Sequence, residues 1–198
     1  MRAFAKLGVW KVRLTGGEPT ARSNIVEIAQ AVSRTPGIRK VAITTNGLNL
    51  GNWAPRLKAA GVTAINVSID SLDPARFAEV TGRDILPKLL ADLDRTLELG
   101  FERVKINAVL LKKQFESDLE GFLEFTRRKP VSVRLIELMQ SGQNVELFKT
   151  EHVTGGQVQL ALLSRGWSMQ PRNPGDGPAI EFAHRDHLGK IGIIAPYS

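Results

Sequence analysis

No cysteine occurs anywhere in the 198 residues. That single absence removes disulfides, thiolate metal sites and thiol nucleophiles together. Histidine is also scarce, with three in the chain, and two of them, His184 and His187, fall in the polar run Ala183-His184-Arg185-Asp186-His187, which reads as a hairpin tip where no zinc site is expected. No window approaches the apolar run that a membrane span needs, and the start Met1-Arg2-Ala3-Phe4-Ala5-Lys6 is too charged and too short for a secretory signal. A soluble, cytoplasmic protein with no membrane partner is therefore expected. Aromatic residues make up 6% of the chain and are rarely interleaved with cations, so no specific nucleic-acid partner is expected, although the net charge of +7 leaves room for nonspecific binding as a side activity.

What is present is an ordinary globular composition, 42% hydrophobic and 24% charged. Short β-rich runs alternate with helical patterns. Strands are expected over residues 10–15, 39–45, 63–70, 103–110 and 131–138, and helices over 3–8, 24–32, 53–60, 86–99 and 117–126, with a short helix opened by Asp73-Pro74. Pro36-Gly37, Gly61 and Gly100 punctuate these elements. Strand-helix alternation implies βαβ units in a parallel sheet or barrel. After Met139 the pattern changes: 141–153 reads as loop, 155–163 as a helix, 166–169 as a strand, 172–178 as a turn-rich loop, and 179–183 with 190–195 as an antiparallel hairpin.

The segment Lys11-Val12-Arg13-Leu14-Thr15-Gly16-Gly17-Glu18-Pro19 organises the reading. Alternation puts Lys11, Arg13 and Thr15 on one strand face, and two glycines then end the strand where backbone can approach a ligand. The same polar bias recurs on Thr44 and Asn46, on Asn66, Ser68 and Asp70, and on Lys105 and Asn107, with Arg134 on the fifth strand. Strands covered by helices on both sides should be apolar on both faces. A polar interior with an apolar exterior instead describes all or part of a barrel, with a ligand site at the carboxyl ends of its strands. Buried together, Lys11, Arg13, Lys105 and Arg134 would repel one another unless a polyanion sat among them. An interior lysine crowded by cations also fits Schiff-base chemistry of an aldolase-like barrel at Lys105.

Six segments in order, Leu14-Thr15-Gly16-Gly17-Glu18-Pro19, Thr44-Thr45-Asn46-Gly47, Asn66-Val67-Ser68-Ile69-Asp70-Ser71, Thr81-Gly82-Arg83, Lys105-Ile106-Asn107-Ala108-Val109 and Arg134-Leu135-Ile136-Glu137-Leu138-Met139, resemble a radical S-adenosylmethionine enzyme. Within that superfamily the chain is most similar to the molybdenum cofactor biosynthesis protein A family, GTP 3',8-cyclase. The resemblance continues through Gly177-Pro178-Ala179 and Gly189-Lys190-Ile191-Gly192 to Ala195-Pro196-Tyr197-Ser198.

The resemblance implies an α/β fold: a partial (β/α) barrel of parallel strands lacking the first strand, over residues 1–140. A C-terminal extension, 141–198, would carry a loop, a helix and an antiparallel β-hairpin and stop before the family's second cluster site. It implies the radical rearrangement of GTP, using S-adenosylmethionine, on the route to molybdopterin. Lys11, Arg13, Thr44, Lys105 and Arg134 resemble the positions that hold GTP; Gly17, Ser68 and Met139 resemble those that meet S-adenosylmethionine. The family's iron-sulfur clusters have no cysteine ligands here, which points to a truncated, inactive chain with a partial S-adenosylmethionine site, or else to a non-catalytic GTP- or S-adenosylmethionine-binding protein. An uncovered sheet edge would favour a homodimer.

Overall fold

The computed structural model describes residues 1–172 and 177–196. Residues 173–176 of the expected turn-rich loop and the final 197–198 lie outside the described residues. The chain forms two compact units, the first of Met1–Ser68 with Ile85–Lys105 and the second of Ile69–Asp84 with Ile106–Ser198. Contacts thus group the chain discontinuously.

The first unit begins with α1 (Arg2–Lys6), then β1 (Lys11–Leu14), α2 (Ile25–Ser33), β2 (Lys40–Thr45), α3 (Leu50–Ala59) and β3 (Ala64–Ser68). It resumes with α5 (Leu86–Glu98) and the start of β4 (Arg103–Val109), while α4 (Pro74–Thr81) belongs to the second unit. β1 pairs parallel with β2, and β2 with β3, in the registers Arg13 to Ala42 and Thr44 to Asn66. Strand β2 is central, and its Val41, Ala42, Ile43 and Thr45 are all buried. Helices α2, α3 and α5 each contribute one apolar stripe at helical spacing: Ile25, Ala29 and Val32; Leu50, Ala54 and Leu57; Leu86, Leu89 and Leu93. Each valine, leucine or isoleucine among these contributes roughly 1.5–3 kcal/mol by leaving water. The turn after α2 uses Gly37 at φ +95°, and Asn49, at φ 58°, is the one non-glycine in the left-handed region among the described residues.

The second unit holds the rest of β4, α6 (Phe115–Arg128), β5 (Ser132–Ile136), α7 (Val145–Glu151), α8 (Gly155–Ser164), β6 (Ser168–Met169), β7 (Ile180–Ala183) and β8 (Lys190–Ile194). The hairpin is joined to the parallel part of the fold, because β8 pairs parallel with β5, with Arg134 opposite Gly192, while β7 and β6 add antiparallel strands. Asp73 caps α4 by accepting from the Arg76 N–H at 2.8 Å, with Pro74 in the first turn, as its sequence predicts. Two expectations are corrected. Residues 145–151 are helical where a loop is expected; the helix buries none of its residues, so it shows no apolar stripe to read. And α6 opens at Phe115, with Ser117 inside it donating to the Gln114 carbonyl at 3.0 Å instead of capping.

Beside the hairpin tip, Thr126 of α6 donates to the Leu123 carbonyl and lies 3.1 Å from His187 Nδ1. The rings of His184 and His187 pack against Trp167, with centroids 5.6 and 4.5 Å away. No helix among the described residues is long and apolar enough to cross a membrane.

Candidate functional site

In the first unit the expected residues gather at one face and at the strand ends. Register places Lys11 and Arg13 of β1, Thr44 of β2, and Asn66 and Ser68 of β3 on the same side of the sheet. Asn66 is buried and donates its amide to Thr44 Oγ1 at 3.2 Å, which fixes both side chains. Ser68 is exposed at the carboxyl end of β3, and among the described residues its hydroxyl meets no partner.

The glycine platform follows β1. Gly16 has φ +149°, a conformation that side chains rarely adopt. Gly17 is different: among the described residues a Cβ there would meet nothing within 4 Å, so no neighbour among them demands a glycine. Glu18 holds this platform to the end of β2. Its Oε1 accepts from the Thr20 N–H, the Thr20 hydroxyl and the Thr45 hydroxyl at 3.0, 2.6 and 2.8 Å, and its Oε2 accepts from the Asn46 N–H at 2.7 Å. Burial alone would raise the Glu18 carboxyl; the hydrogen bonds from Asn46, Thr20 and Thr45 outweigh it and keep the group below the usual carboxylate range. The partners of Glu18 at the end of β2 lie 27 and 28 residues away, a tie that its place directly after the paired glycines does not reveal.

The expectation that four cations are buried is half correct. Lys105 is 6% exposed and Arg134 2%, but Lys11 and Arg13 are exposed because β1 is the outer strand of its sheet. In the second unit the Arg134 side chain packs against two glycines. A Cβ at Gly192 would sit 3.5 Å from the arginine Cγ, and one at Gly177 would sit 3.2 Å from Nη2.

Met139 lies in the segment after β5, with its side chain largely exposed and its carbonyl accepting from Asn144 Nδ2 at 3.0 Å. Glu137 fastens the same segment: Oε1 is 2.9 Å from His152 Nε2 and Oε2 accepts from the Gly155 N–H at 2.7 Å. Neither Asn144 nor Glu137 was singled out from the sequence for this role.

The second unit also holds a cavity of about 610 Å³ between the starts of α4 and α6, and none of the eight expected site residues lines it. Behind it Asp118, buried, accepts from the Ser71 hydroxyl at 2.9 Å and pairs with Arg76 Nε at 3.2 Å. Nearby Asp70 is pushed above the usual carboxylate range by burial, helped by the Asp118 charge, against the Val109 N–H that it accepts at 2.9 Å.

A polar strand face that leads to a bare glycine is an arrangement for holding a polar ligand at the carboxyl ends of parallel strands. A family profile described as the Radical SAM superfamily matches residues 1–126. The chain belongs to the Radical SAM superfamily. It is 44% identical over 196 residues to a GTP 3',8-cyclase of Haemophilus ducreyi, a match that covers 99% of this chain and 58% of that protein. It is 46% identical over 197 residues to one of Actinobacillus pleuropneumoniae serotype 5b and 47% over 195 to one of Aeromonas hydrophila, covering 58% and 57% of those proteins. The chain thus spans under three fifths of the length of these curated relatives.

Among solved structures, Streptococcus suis SuiB bound to S-adenosylmethionine matches with TM-score 0.68 at 20% identity, over 83% of this chain and 39% of that one. A domain of pyruvate-formate lyase-activating enzyme from Bacteroides vulgatus matches with TM-score 0.59 at 16% identity, over 76% and 89%. These likenesses show the fold: α/β, with mostly parallel strands, of the partial-barrel kind expected from the sequence. An iron-sulfur cluster, which the superfamily implies, does not fit the residues present. The chain has no cysteine, and no group of three histidine, aspartate or glutamate side chains suited to a metal occurs among the described residues.

Proposed function

We propose that this chain carries part of a GTP 3',8-cyclase, with portions of its GTP and S-adenosylmethionine sites, and is inactive by itself. The observation that carries the reading is 44–47% identity, across nearly every residue of the chain, to proteins named for that activity. In the first unit Lys11, Arg13, Thr44 and Lys105 are assigned to GTP, and in the second Arg134. Cations suit a triphosphate, and the arginines add forked donors for its oxygens. Gly17, Ser68 and Met139 are assigned to S-adenosylmethionine. Three features support this: the open space over Gly17, the free Ser68 hydroxyl and the exposed Met139 side chain. The cofactor would supply the radical chemistry; what these residues do is bind and orient it.

A second reading, a non-catalytic binder of GTP or S-adenosylmethionine, draws on the same platform in a chain with no cysteine. Calorimetry with each ligand separates the two. Weak binding of both, with no 5'-deoxyadenosine formed after anaerobic reconstitution, is the outcome expected of a partial cyclase. Micromolar or tighter binding of either ligand selects the binder, and turnover by the chain alone overturns the inactivity. A cytoplasmic location and a homodimer through the outer edge of β1 complete the proposal. In a homodimer paired antiparallel along β1, Lys11 and Arg13 would face cations of the second copy, a repulsion that salt should relieve in sedimentation.

A further inference from the structure

Cations and carboxylates are divided unequally between the units. The first holds fourteen lysines and arginines against six carboxylates, and the second thirteen against fourteen. Much of the excess lies in residues 1–40, with eight cations and two carboxylates.

Four of these cations surround one junction of the first unit. Helix α1 abuts the turn after α2, where a Cβ on Gly37 would come 3.2 Å from the Ala5 Cβ. The far side of that turn is tied to the start of β1, because the N–H groups of Arg39 and Lys40 both donate to the Trp10 carbonyl at 2.8 and 3.1 Å. Arg2 and Lys6 stand one helical turn apart on α1, Arg34 ends α2, and Arg39 lies over the Trp10 ring with its guanidinium carbon 5.1 Å from the centroid. All four side chains are exposed, and among the described residues none of them pairs with a carboxylate, whereas the neighbouring Lys40 takes Glu102 at 3.2 Å. The junction lies at the amino ends of β1 and β2, away from the glycine platform at the carboxyl end of β1.

We infer that this junction is a docking surface for the phosphodiester backbone of a nucleic acid, read without regard to sequence. Three of the four groups are arginines, whose flat forked donors match phosphate oxygens, and one of them lies over an indole ring. An anionic bilayer suits the surface less well. Met1, Phe4 and Leu7 leave an exposed apolar stripe along α1, but that helix has only five residues, and Arg34 and Arg39, half of the cations, lie off it at the end of α2 and just before β2, so the basic surface as a whole is not the polar face of an interfacial helix.

The test is anisotropy of labelled 20-nucleotide single strands of two unrelated sequences, titrated with the whole chain from 50 to 200 mM salt. We expect equal affinity for both sequences and a slope of log affinity against log salt of about −3, as four phosphate contacts require. The double reversal Arg34→Glu/Arg39→Glu should weaken binding at least tenfold and flatten the slope, whereas Arg127→Glu/Arg128→Glu in the second unit should leave both within twofold; circular dichroism checks that each variant stays folded. Equal effects of the two reversals would overturn the inference. So would tighter binding to phosphatidylglycerol vesicles than to oligonucleotide. Displacement of the oligonucleotide by GTP at one equivalent would do the same, by locating binding at the proposed nucleotide site.

Discussion

The two units carry nearly equal numbers of cations, fourteen and thirteen, but six carboxylates in the first stand against fourteen in the second. The second unit uses its acids as internal fasteners. Asp118 gathers Ser71 and Arg76, Glu137 gathers His152 and the start of α8, and Glu116 and Glu120 both receive Arg165 at 2.9 Å. In the first unit Glu18 holds the glycine platform and Asp92 accepts Lys88 at 2.7 Å, while most arginines are left facing water. The difference teaches that one unit neutralises itself and the other is arranged to be neutralised from outside.

That contrast can be broken by mutation. The largest effect is expected from Asp118→Ala, which leaves the mostly buried Arg76 and Ser71 without their acceptor and should cost about 3 kcal/mol in urea unfolding. A loss under about 1 kcal/mol, the range of a surface pair, would mean that the second unit does not depend on its internal acid.

Next comes Glu18→Gln in the first unit. Neutralising an acceptor of four hydrogen bonds should cost about 1–2 kcal/mol at pH 7. Because the folded-state pKa of Glu18 is lowered, its contribution is complete above the ordinary carboxylate range and disappears as pH falls through the depressed value. The difference between wild type and variant should therefore vanish in strong acid, which melts at pH 7 and below pH 3 would check.

Asp70→Asn should act in the opposite direction. The raised pKa means that ionised Asp70 opposes folding at neutral pH and that this cost is relieved as pH falls. The amide keeps an acceptor for the Val109 N–H, so the variant should melt slightly higher at pH 7 and lose that advantage near pH 3. The smallest effect is expected from Arg34→Glu, which should change stability by no more than about 0.5 kcal/mol and in the stabilising direction, since it removes a repelled charge. A clear destabilisation would give Arg34 an internal role and weaken the comparison between the units.

Much of the fold was legible because it obeys local rules. Period-two alternation marked the strands, while Gly37, Gly61 and Gly100, each at positive φ, marked the ends of helices. Helix α7 was not legible, because with no buried residue it leaves no periodic trace and is supported by local pairs such as Glu146 with Lys149 at 2.8 Å. The polar strand face was legible as a pattern, but exposure was not: alternation places Lys11 and Arg13 on the same side as Thr44 without revealing that β1 is the outer strand. Glu18 and Asn144 were missed for another reason. They act by binding chain segments that sequence spacing does not reveal, and a single polar residue beside a turn does not announce such a partner.

The glycines beside Arg134 have a consequence for descent. Gly192 is its register partner on β8, where a Cβ would also come 3.2 Å from the Ala179 Cβ, so the long stem of the arginine occupies volume that any larger residue at 192 would claim. Lineages that enlarge position 192 should have surrendered the arginine first, and those that keep the arginine should hold glycine or nothing bigger than alanine there. The two positions, 58 apart, are therefore expected to co-vary.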